Sequence, residues 1–271
     1  MDARFQPIML AAWSGRLEEF VSLLDRSPDL VTARSTCSHP TLLQFLVLDG
    51  GEGKIVQPER FMRVLVDRGA DLNEPIVAAA SIGSKPMASF LLVAGAMVES
   101  GAPWTPLEES VYWAHSDLSS WLRSVHRAQV LSLRAAAGLG ELEEMERFLD
   151  GDRPAPGAGP VRFPWGSPSD EPQGVLDQAL VIAAKNGRSG TVQRLLTCGA
   201  NANAFPPGVH ERGSALHLAA MCGHREIVDL LLDAGADPSQ RDPEHGSRPS
   251  GWAEYGSRPE LATFLKGLES A

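Results

Sequence analysis

Three side chains in this sequence have the types and spacing that acid–base chemistry requires. Glu109 and Tyr112 lie three residues apart in TPLEESVYW, so on a helix they share one face. A carboxylate beside a phenol in an aromatic pocket can act as a general acid or base. His210, in PPGVHERG, lies in a predicted hairpin from which it could reach such a pocket. Acidic residues are also common in the first turn of a helix, so a solvated Glu109 is the favoured interpretation.

The rest of the sequence lacks the patterns of a catalytic or metal site. Cys37, Cys198 and Cys222 have no CxxC spacing, and the histidines form no HxxxH pair. A nucleophile elbow and a phosphate-binding loop are also absent. His217 is expected to hydrogen-bond to Ser214 in a structural role, because buried polar groups need partners. We therefore expect no metal and no cofactor, and a binding function ahead of an enzymatic one.

The overall composition narrows the classes of partner. The 271 residues carry a net charge of −10, which disfavours binding to nucleic acid. No apolar run reaches the roughly 18 residues that span a bilayer, and the N-terminus lacks the features of a signal peptide. Sparse, unpaired cysteines are typical of a reducing compartment. These observations predict a soluble cytoplasmic protein that binds neither nucleic acid nor membrane.

Short helices joined by turns must position the side chains named above. The clearest unit is GSALHLAAMCGHREIVDLLLDAGADP, from Gly213 to Pro238. The small pair Ala219-Ala220 lets a neighbouring helix approach closely, and Gly223 is predicted to end this first helix in the left-handed conformation. An apolar stripe then marks a second amphipathic helix: Ile227, Val228, Leu231 and Leu232.

The same unit recurs along the chain with a period near 33 residues. The residues that match Ala219, the first of the small pair, are Ala11, Phe45, Ala79, Ser110, Ala136, Ala183 and Ala253. The step from Ser110 to Ala136 is short, at 26 residues, and the step to Ala183 is long, at 47. The predicted repeats lie near 5–38, 39–73, 74–102, 103–127, 128–150, 175–208, 212–245 and 247–271. Because such units stack continuously, we expect a single domain over 1–271.

Two insertions interrupt the repeats. The longer one, 150–174, is rich in proline and glycine and is predicted to be a non-helical loop. Phe163 and Trp165 lie in its middle, although linkers rarely carry aromatic residues. A loop of this length in a compact fold is usually functional or disordered. The shorter insertion, Asp49 to Gln57, is predicted to separate the two helices of the second repeat.

With SALHLAA, GH and IVDLLLDAGAD in succession, the chain resembles ankyrin-repeat proteins over nearly its whole length. TPLEESVYW, LRAAAGLG, NAFPPG and GWAEYG further resemble standalone bacterial members of this group. The resemblance implies an all-α solenoid of about eight helix–turn–helix units. It also implies a non-catalytic scaffold that binds partners with its hairpin tips and with the concave face of its first helices.

The residues flanking each small pair are predicted to form that concave face. This rule selects several of the few tryptophans and tyrosines, a class of residue that is enriched at binding surfaces. With the two aromatic residues of the long loop, the predicted site comprises Trp13, Glu109, Tyr112, Trp113, Phe163, Trp165, Lys185, Met221, Trp252 and Tyr255. An alternative is that Trp113 and Trp252 only fill gaps between adjacent helices.

These residues lead to three hypotheses of function. The first is a binding module that holds a protein segment or a small molecule in an aromatic groove covered by loop 150–174. The second is an enzyme that uses the same groove, with Glu109, Tyr112 and His210 as acid–base residues. The third is a plain assembly scaffold.

Overall fold

The computed structural model describes residues 3–36, 40–98, 105–127, 131–154 and 171–269. In these ranges the regular structure is helical apart from one two-stranded hairpin, which confirms the predicted all-α fold. The contacts divide the chain into two compact units, Met1–Arg127 and Ala128–Ala271. This division falls between the repeats predicted at 103–127 and 128–150. A single domain over 1–271 stays a prediction.

The first unit is built from four successive pairs of helices. They are α1 (Gln6–Trp13), α2 (Leu17–Arg26), α3 (Leu42–Gly51), α4 (Pro58–Asp67), α5 (Asn73–Ser81), α6 (Lys85–Val93), α7 (Pro106–Tyr112) and α8 (Ser116–Val125), with a 3-10 helix at Pro28–Val31. The first helix of one pair packs on the first helix of the next, as α3 does on α5 and α5 on α7.

The second unit repeats this arrangement in its described part. Its helices are α9 (Leu133–Leu139), α10 (Leu142–Glu146), α11 (Pro172–Lys185), α12 (Ser189–Thr197), α13 (Ala215–Cys222), α14 (Arg225–Asp233), α15 (Pro249–Tyr255) and α16 (Pro259–Glu269). The first helices α9, α11, α13 and α15 pack on one another in that order, and the second helices α12 and α14 also touch.

The small residues predicted at the helix contacts are buried there. Ala11, Ala79, Ala136, Ala183, Ala219 and Ala253 have no exposed surface, and neither has Ser110. Phe45 is the exception, since it is a large residue and only partly buried. Its ring packs edge-on against Phe5, with the centroids 5.9 Å apart. Gly223 ends α13 with φ at +82°, in the left-handed conformation that the sequence predicts.

Both predicted insertions differ from the structure at their edges. Leu149–Asp150 and Arg153–Pro154 form an antiparallel hairpin, and α11 already begins at Pro172. The prediction of a non-helical loop over 150–174 is therefore wrong for 172–174, since a proline is compatible with the first turn of a helix, whereas the start of the segment is non-helical but forms a hairpin. Residues 155–170, which include Phe163 and Trp165, lie outside the described residues.

The shorter insertion begins later than predicted, because α3 continues to Gly51. Two glycines allow this helix to approach its neighbours closely. A Cβ atom on Gly50 would lie 2.6 Å from the Pro58 side chain, and one on Gly51 would lie 2.2 Å from Ile82. The segment that separates α3 from α4 therefore comprises only residues 52–57.

Among the described residues, three helix pairs are also tied to the preceding pair by hydrogen bonds to backbone carbonyls. The residue just before a second helix supplies the donor. In the first unit, His115 Nε2 lies 2.8 Å from the carbonyl oxygen of Ser81. In the second unit, Arg188 Nε donates to Gly138 O at 3.0 Å, and His224 Nε2 lies 3.1 Å from Lys185 O.

Side chains also fix the turns of the second unit, one within a helix pair and another between successive turns. Asp177 accepts a hydrogen bond from the backbone N–H of Asn201 at 2.7 Å, and burial raises the pKa of this carboxyl. Asn203 Oδ1 accepts from the N–H of Asp237 at 2.8 Å, while its Nδ2 donates to Gly235 O. These bonds fix the turns, and therefore the hairpin tips, relative to the helices.

Candidate functional site

The second unit contains an open cleft of about 510 Å³. It is bounded by the end of α13, by α15, and by the two hairpin segments that precede these helices. The lining residues are His210, Glu211, Met221, Glu244, His245, Ser247, Gly251, Trp252 and Tyr255. Four of them belong to the residues that the sequence singled out as candidate binding or catalytic residues: His210, Met221, Trp252 and Tyr255.

Trp252 forms a fixed aromatic wall of this cleft. It is 8% exposed, and its indole N–H donates to Asp242 Oδ2 at 3.0 Å. Its ring also lies edge-on to His217, with the centroids 5.3 Å apart. A Cβ atom on Gly213 would lie 2.9 Å from the Trp252 ring. Trp252 therefore both fills space between helices, as one alternative predicted, and lines the cleft.

Asp242 holds the loop that carries Glu244, His245 and Ser247. The carboxylate accepts hydrogen bonds from the backbone N–H groups of these three residues, at 3.0, 2.6 and 2.9 Å. Burial acts to raise the pKa of Asp242, but these bonds and the one from Trp252 outweigh it and lower the pKa to about 2. One buried charge thus positions both the hairpin loop and the indole beside it.

His217 is a structural residue, as the sequence predicted. Its Nδ1 lies 2.7 Å from Ser214 Oγ, and its Nε2 lies 3.2 Å from the carbonyl oxygen of Ser247. A carbonyl can only accept, so Nε2 carries the proton and Nδ1 accepts from the serine hydroxyl. Burial lowers the pKa of His217, which keeps the ring neutral in this arrangement.

Lys185 and Glu211 form an ion pair at the edge of the cleft. Lys185, the last residue of α11, is only 5% exposed, and its ammonium binds Glu211 Oε1. The second carboxylate oxygen, Oε2, is buried and has no hydrogen-bond partner among the described residues. The predicted binding residue Lys185 therefore acts through its pairing with Glu211 rather than as an exposed side chain.

Tyr255 and Glu244 are both exposed parts of the lining. Tyr255 is 85% exposed at the end of α15, the highest value among the large apolar side chains of the described residues. Glu244 is also exposed, and within the described part of the chain its carboxylate has no hydrogen-bond or ion-pair partner. An aromatic ring and a carboxylate are thus both available to a ligand.

The candidate residues of the first unit are less accessible than predicted. Glu109 is 4% exposed and accepts a hydrogen bond from the indole N–H of Trp113 at 2.8 Å, so the interpretation as a solvated glutamate is wrong. Its position one helical turn before Trp113 explains this contact. Tyr112 is 2% exposed, and its ring packs edge-on against Trp113. A phenol buried to this degree belongs to the core rather than to an open surface.

Trp13 remains partly accessible in the first unit, at 39% exposure. Its indole N–H donates to Asp49 Oδ2 at 2.8 Å, and Asp49 also pairs with Lys54 at 3.1 Å. The acid–base candidates Glu109 and Tyr112 thus lie in the first unit, and His210 lies in the cleft of the second.

The described residues also bear on metal binding, thiol reactivity and membrane insertion. They contain no group of three or more histidine, cysteine, aspartate or glutamate side chains that could hold a metal ion. Burial raises the pKa of both the Cys198 and the Cys222 thiol, which favours the weakly nucleophilic protonated form. Within the same ranges, no helix combines the length and apolar character that a membrane span requires.

Comparison with known proteins gives these helix pairs a family. A family model described as ankyrin repeats matches residues 135–242, with three copies. Residues 135–242 of this chain are ankyrin repeats. Its repeats indicate a protein–protein interaction module. A count of eight repeats, a bacterial source and a cytoplasmic location stay predictions.

Curated relatives share parts of this ankyrin-repeat chain. ARF GTPase-activating protein GIT2 of Mus musculus is 39% identical over 91 residues, which are 33% of this chain and 12% of that protein. A putative ankyrin repeat protein of Pyrobaculum aerophilum is 39% identical over 74 residues, or 27% of this chain and 26% of that one. The chain therefore spans about a quarter or less of the length of these relatives.

A solved structure covers more of the chain. The human ASB11 ankyrin repeat domain aligns with 96% of this chain and 97% of its own, at 19% identity and a TM-score of 0.41.

Three ionisable residues of the cleft could not be found from the positions of the small pairs. Glu211, Glu244 and His245 lie in hairpin segments, where no helical period identifies a face. A signal was nevertheless present, because each of these two segments carries adjacent histidine and glutamate residues: His210-Glu211 and Glu244-His245.

Proposed function

We propose that this ankyrin-repeat protein binds an extended segment of a partner protein in the cleft of its second unit. The observation that carries the proposal is an exposed tyrosine beside a fixed tryptophan. Tyr255 projects its ring into solvent, whereas hydrogen bonding and ring packing hold Trp252 in place. A preformed aromatic site loses little conformational freedom on binding, and aromatic anchors commonly dominate binding energy.

The shape of the cleft favours a peptide segment. A volume of about 510 Å³, open to solvent, is large enough for a few side chains. Glu244, His245 and Ser247 add polar groups at its rim, as is usual where an apolar centre is surrounded by hydrogen-bonding residues. A small molecule would use the same residues, and the experiment below separates the two ligands. A cover formed by loop 150–174 stays a prediction.

The acid–base alternative lacks a comparable observation. Glu109 is buried against Trp113, and Tyr112 is in the core, so neither residue is placed to reach a substrate from solvent. His210 does line the cleft, which makes it a contact residue in this proposal.

Selection from a library of random peptides tests the proposal. The full chain serves as the target, and affinities of the selected peptides are measured for wild type, Tyr255→Ala and Gln193→Ala. Gln193 is an exposed residue of the second helix α12, away from the cleft, and serves as the control. Removing an aromatic anchor typically costs about 2 kcal/mol or more, so Tyr255→Ala should weaken binding roughly thirtyfold while Gln193→Ala does not.

Peptides that bind Tyr255→Ala as tightly as wild type would overturn the proposal. So would a selection that enriches no peptide at all, because a cleft that accepts segments should retain some members of a diverse library. If wild type binds no peptide but retains a metabolite, and Tyr255→Ala does not retain that metabolite, the ligand of the cleft is a small molecule instead.

A further inference from the structure

We infer that the cleft recognises an arginine side chain of the partner segment. This inference rests on the proposed function and specifies the chemistry of its ligand. Among the described residues, the lining contains two carboxylates and the rings of Trp252 and Tyr255, but no lysine or arginine. Carboxylates attract a cation and aromatic faces stabilise one, so both kinds of group favour the same ligand.

The charges at the cleft fit a single cation. Glu211 and Glu244 contribute two negative charges, and the buried Lys185 beside Glu211 contributes one positive charge. Lys185 already pairs with Glu211, and the buried Asp242 accepts four hydrogen bonds from its own loop and Trp252, so Glu244 is the lining carboxylate that one guanidinium would neutralise. The chain as a whole carries −10, so its long-range field also favours a basic segment over an acidic one.

The geometry favours arginine over lysine. A guanidinium is planar, so it can stack on the exposed ring of Tyr255 and keep an edge free to donate two hydrogen bonds to Glu244 of the same lining. A lysine ammonium is a compact point charge that cannot form both contacts at once. Met221 lies in the same lining and provides an apolar surface for the methylene groups of the arginine.

Glu211 adds a reason for the cleft to accept a donor. Its Oε2 atom is buried without a hydrogen-bond partner among the described residues, which is unfavourable for a charged acceptor. Once the Glu211 carboxylate turns this oxygen towards the cleft, an entering guanidinium would supply the missing N–H group. Lys185 cannot leave to do so, because its own ammonium is held in the ion pair at the other oxygen.

Defined peptides test the inference in fluorescence anisotropy with the full chain. The probe is fluorescein-labelled Gly-Ser-Leu-Arg-Leu-Ser-Gly, compared with versions that carry lysine or citrulline in place of the arginine. Citrulline keeps the planar shape and removes the charge, whereas lysine keeps the charge and removes the planarity. The arginine peptide should bind about tenfold more tightly than either version, since charge-assisted bidentate bonds are roughly twice as strong as neutral ones.

Matched variants locate the interaction. Glu244→Gln should weaken binding of the arginine peptide about tenfold and leave the citrulline peptide unchanged. Glu226→Gln is the control, because it makes the same charge change on the exposed first turn of α14, outside the cleft. If both variants weaken binding equally, the attraction is non-specific and the inference is overturned.

Other outcomes overturn the inference in distinguishable ways. Equal binding of the arginine, lysine and citrulline peptides, or no binding of the arginine peptide, would contradict arginine recognition. If library peptides still depend on Tyr255 in that case, the proposed function stands and only its chemical specificity fails. Concentration-dependent dimerisation that Tyr255→Ala abolishes, seen by sedimentation, would identify the occupant as a second copy of this chain instead.

Discussion

Gly256 offers a sharp test of how closely the helices of the second unit approach one another. A Cβ atom at this position would lie 2.0 Å from the carbonyl oxygen of Met221, at the end of α13. Ordinary contact begins near 3.4 Å, so Gly256→Ala must separate the two segments by about 1.4 Å. The φ angle of Gly256 is −73°, which alanine adopts readily, so the cost is steric rather than conformational.

The expected loss of stability follows from this displacement. Overpacking of a well-packed contact costs about 1–3 kcal/mol, and the upper end applies here because a backbone atom cannot rotate away. Urea unfolding followed by circular dichroism should therefore show a lower midpoint for Gly256→Ala. The same variant should weaken binding of the arginine peptide, because Met221 and Tyr255, which lie next to the two segments pushed apart, both line the cleft.

Gly267→Ala provides the matched control within α16. A Cβ atom at Gly267 would meet nothing within 4 Å, and alanine is favoured over glycine inside a helix. This variant should gain about 0.5–1 kcal/mol. If Gly256→Ala unfolds at the same urea concentration as wild type while Gly267→Ala behaves as expected, the close approach of α13 and α15 is wrong.

Two further perturbations probe the loop and the hairpin of the second unit. Asp242→Asn should lower the free energy of unfolding at pH 7 by about 1.5–3 kcal/mol, because its carboxylate accepts four hydrogen bonds. Folding lowers the pKa of Asp242 from 3.8 to about 2, so this stability is present above pH 4 and is lost as pH falls towards 2. If the free energies of unfolding of wild type and Asp242→Asn differ by the same amount at pH 2 as at pH 7, this explanation is contradicted. Arg194→Ala should speed amide hydrogen exchange at 149–154, because Arg194 binds Asp152 at 2.6 Å and Gly151 O at 2.9 Å. Arg147→Ala is the control: it breaks only a local pair with Glu144 and should leave this exchange rate unchanged.

The helix pairs could be predicted from the sequence because their determinants are local and periodic. Ala219 and Ala220 are small where helices touch, and Gly223 takes the left-handed conformation that ends a helix. Thr41 begins α3 through a capping box with Gln44, which is a pattern readable within four residues. Such features depend on neighbours in the sequence, so the sequence alone carries them.

The candidate site could be predicted only in part, because burial depends on contacts between pairs. Tyr255 and Glu109 were assigned to one concave surface by the same rule, yet Tyr255 is exposed whereas Glu109 is buried against Trp113. The hairpin residues Glu211 and Glu244 were missed, because a turn has no period. Glu211 is held by Lys185, 26 residues earlier in the chain, whereas Glu244 is held by Asp242 within the same loop, whose carboxylate in turn binds the Trp252 indole.

The ties between successive pairs have a consequence for how this protein can change. Arg188 reaches back to Gly138, and His224 reaches back to Lys185, so each tie ends on the pair immediately before it. Coupling of this nearest-neighbour kind confines a disturbance to adjacent modules. The pair formed by α15 and α16, which carries Trp252 and Tyr255, can therefore exchange its contact residues for a new specificity while pairs two or more places away keep their structure.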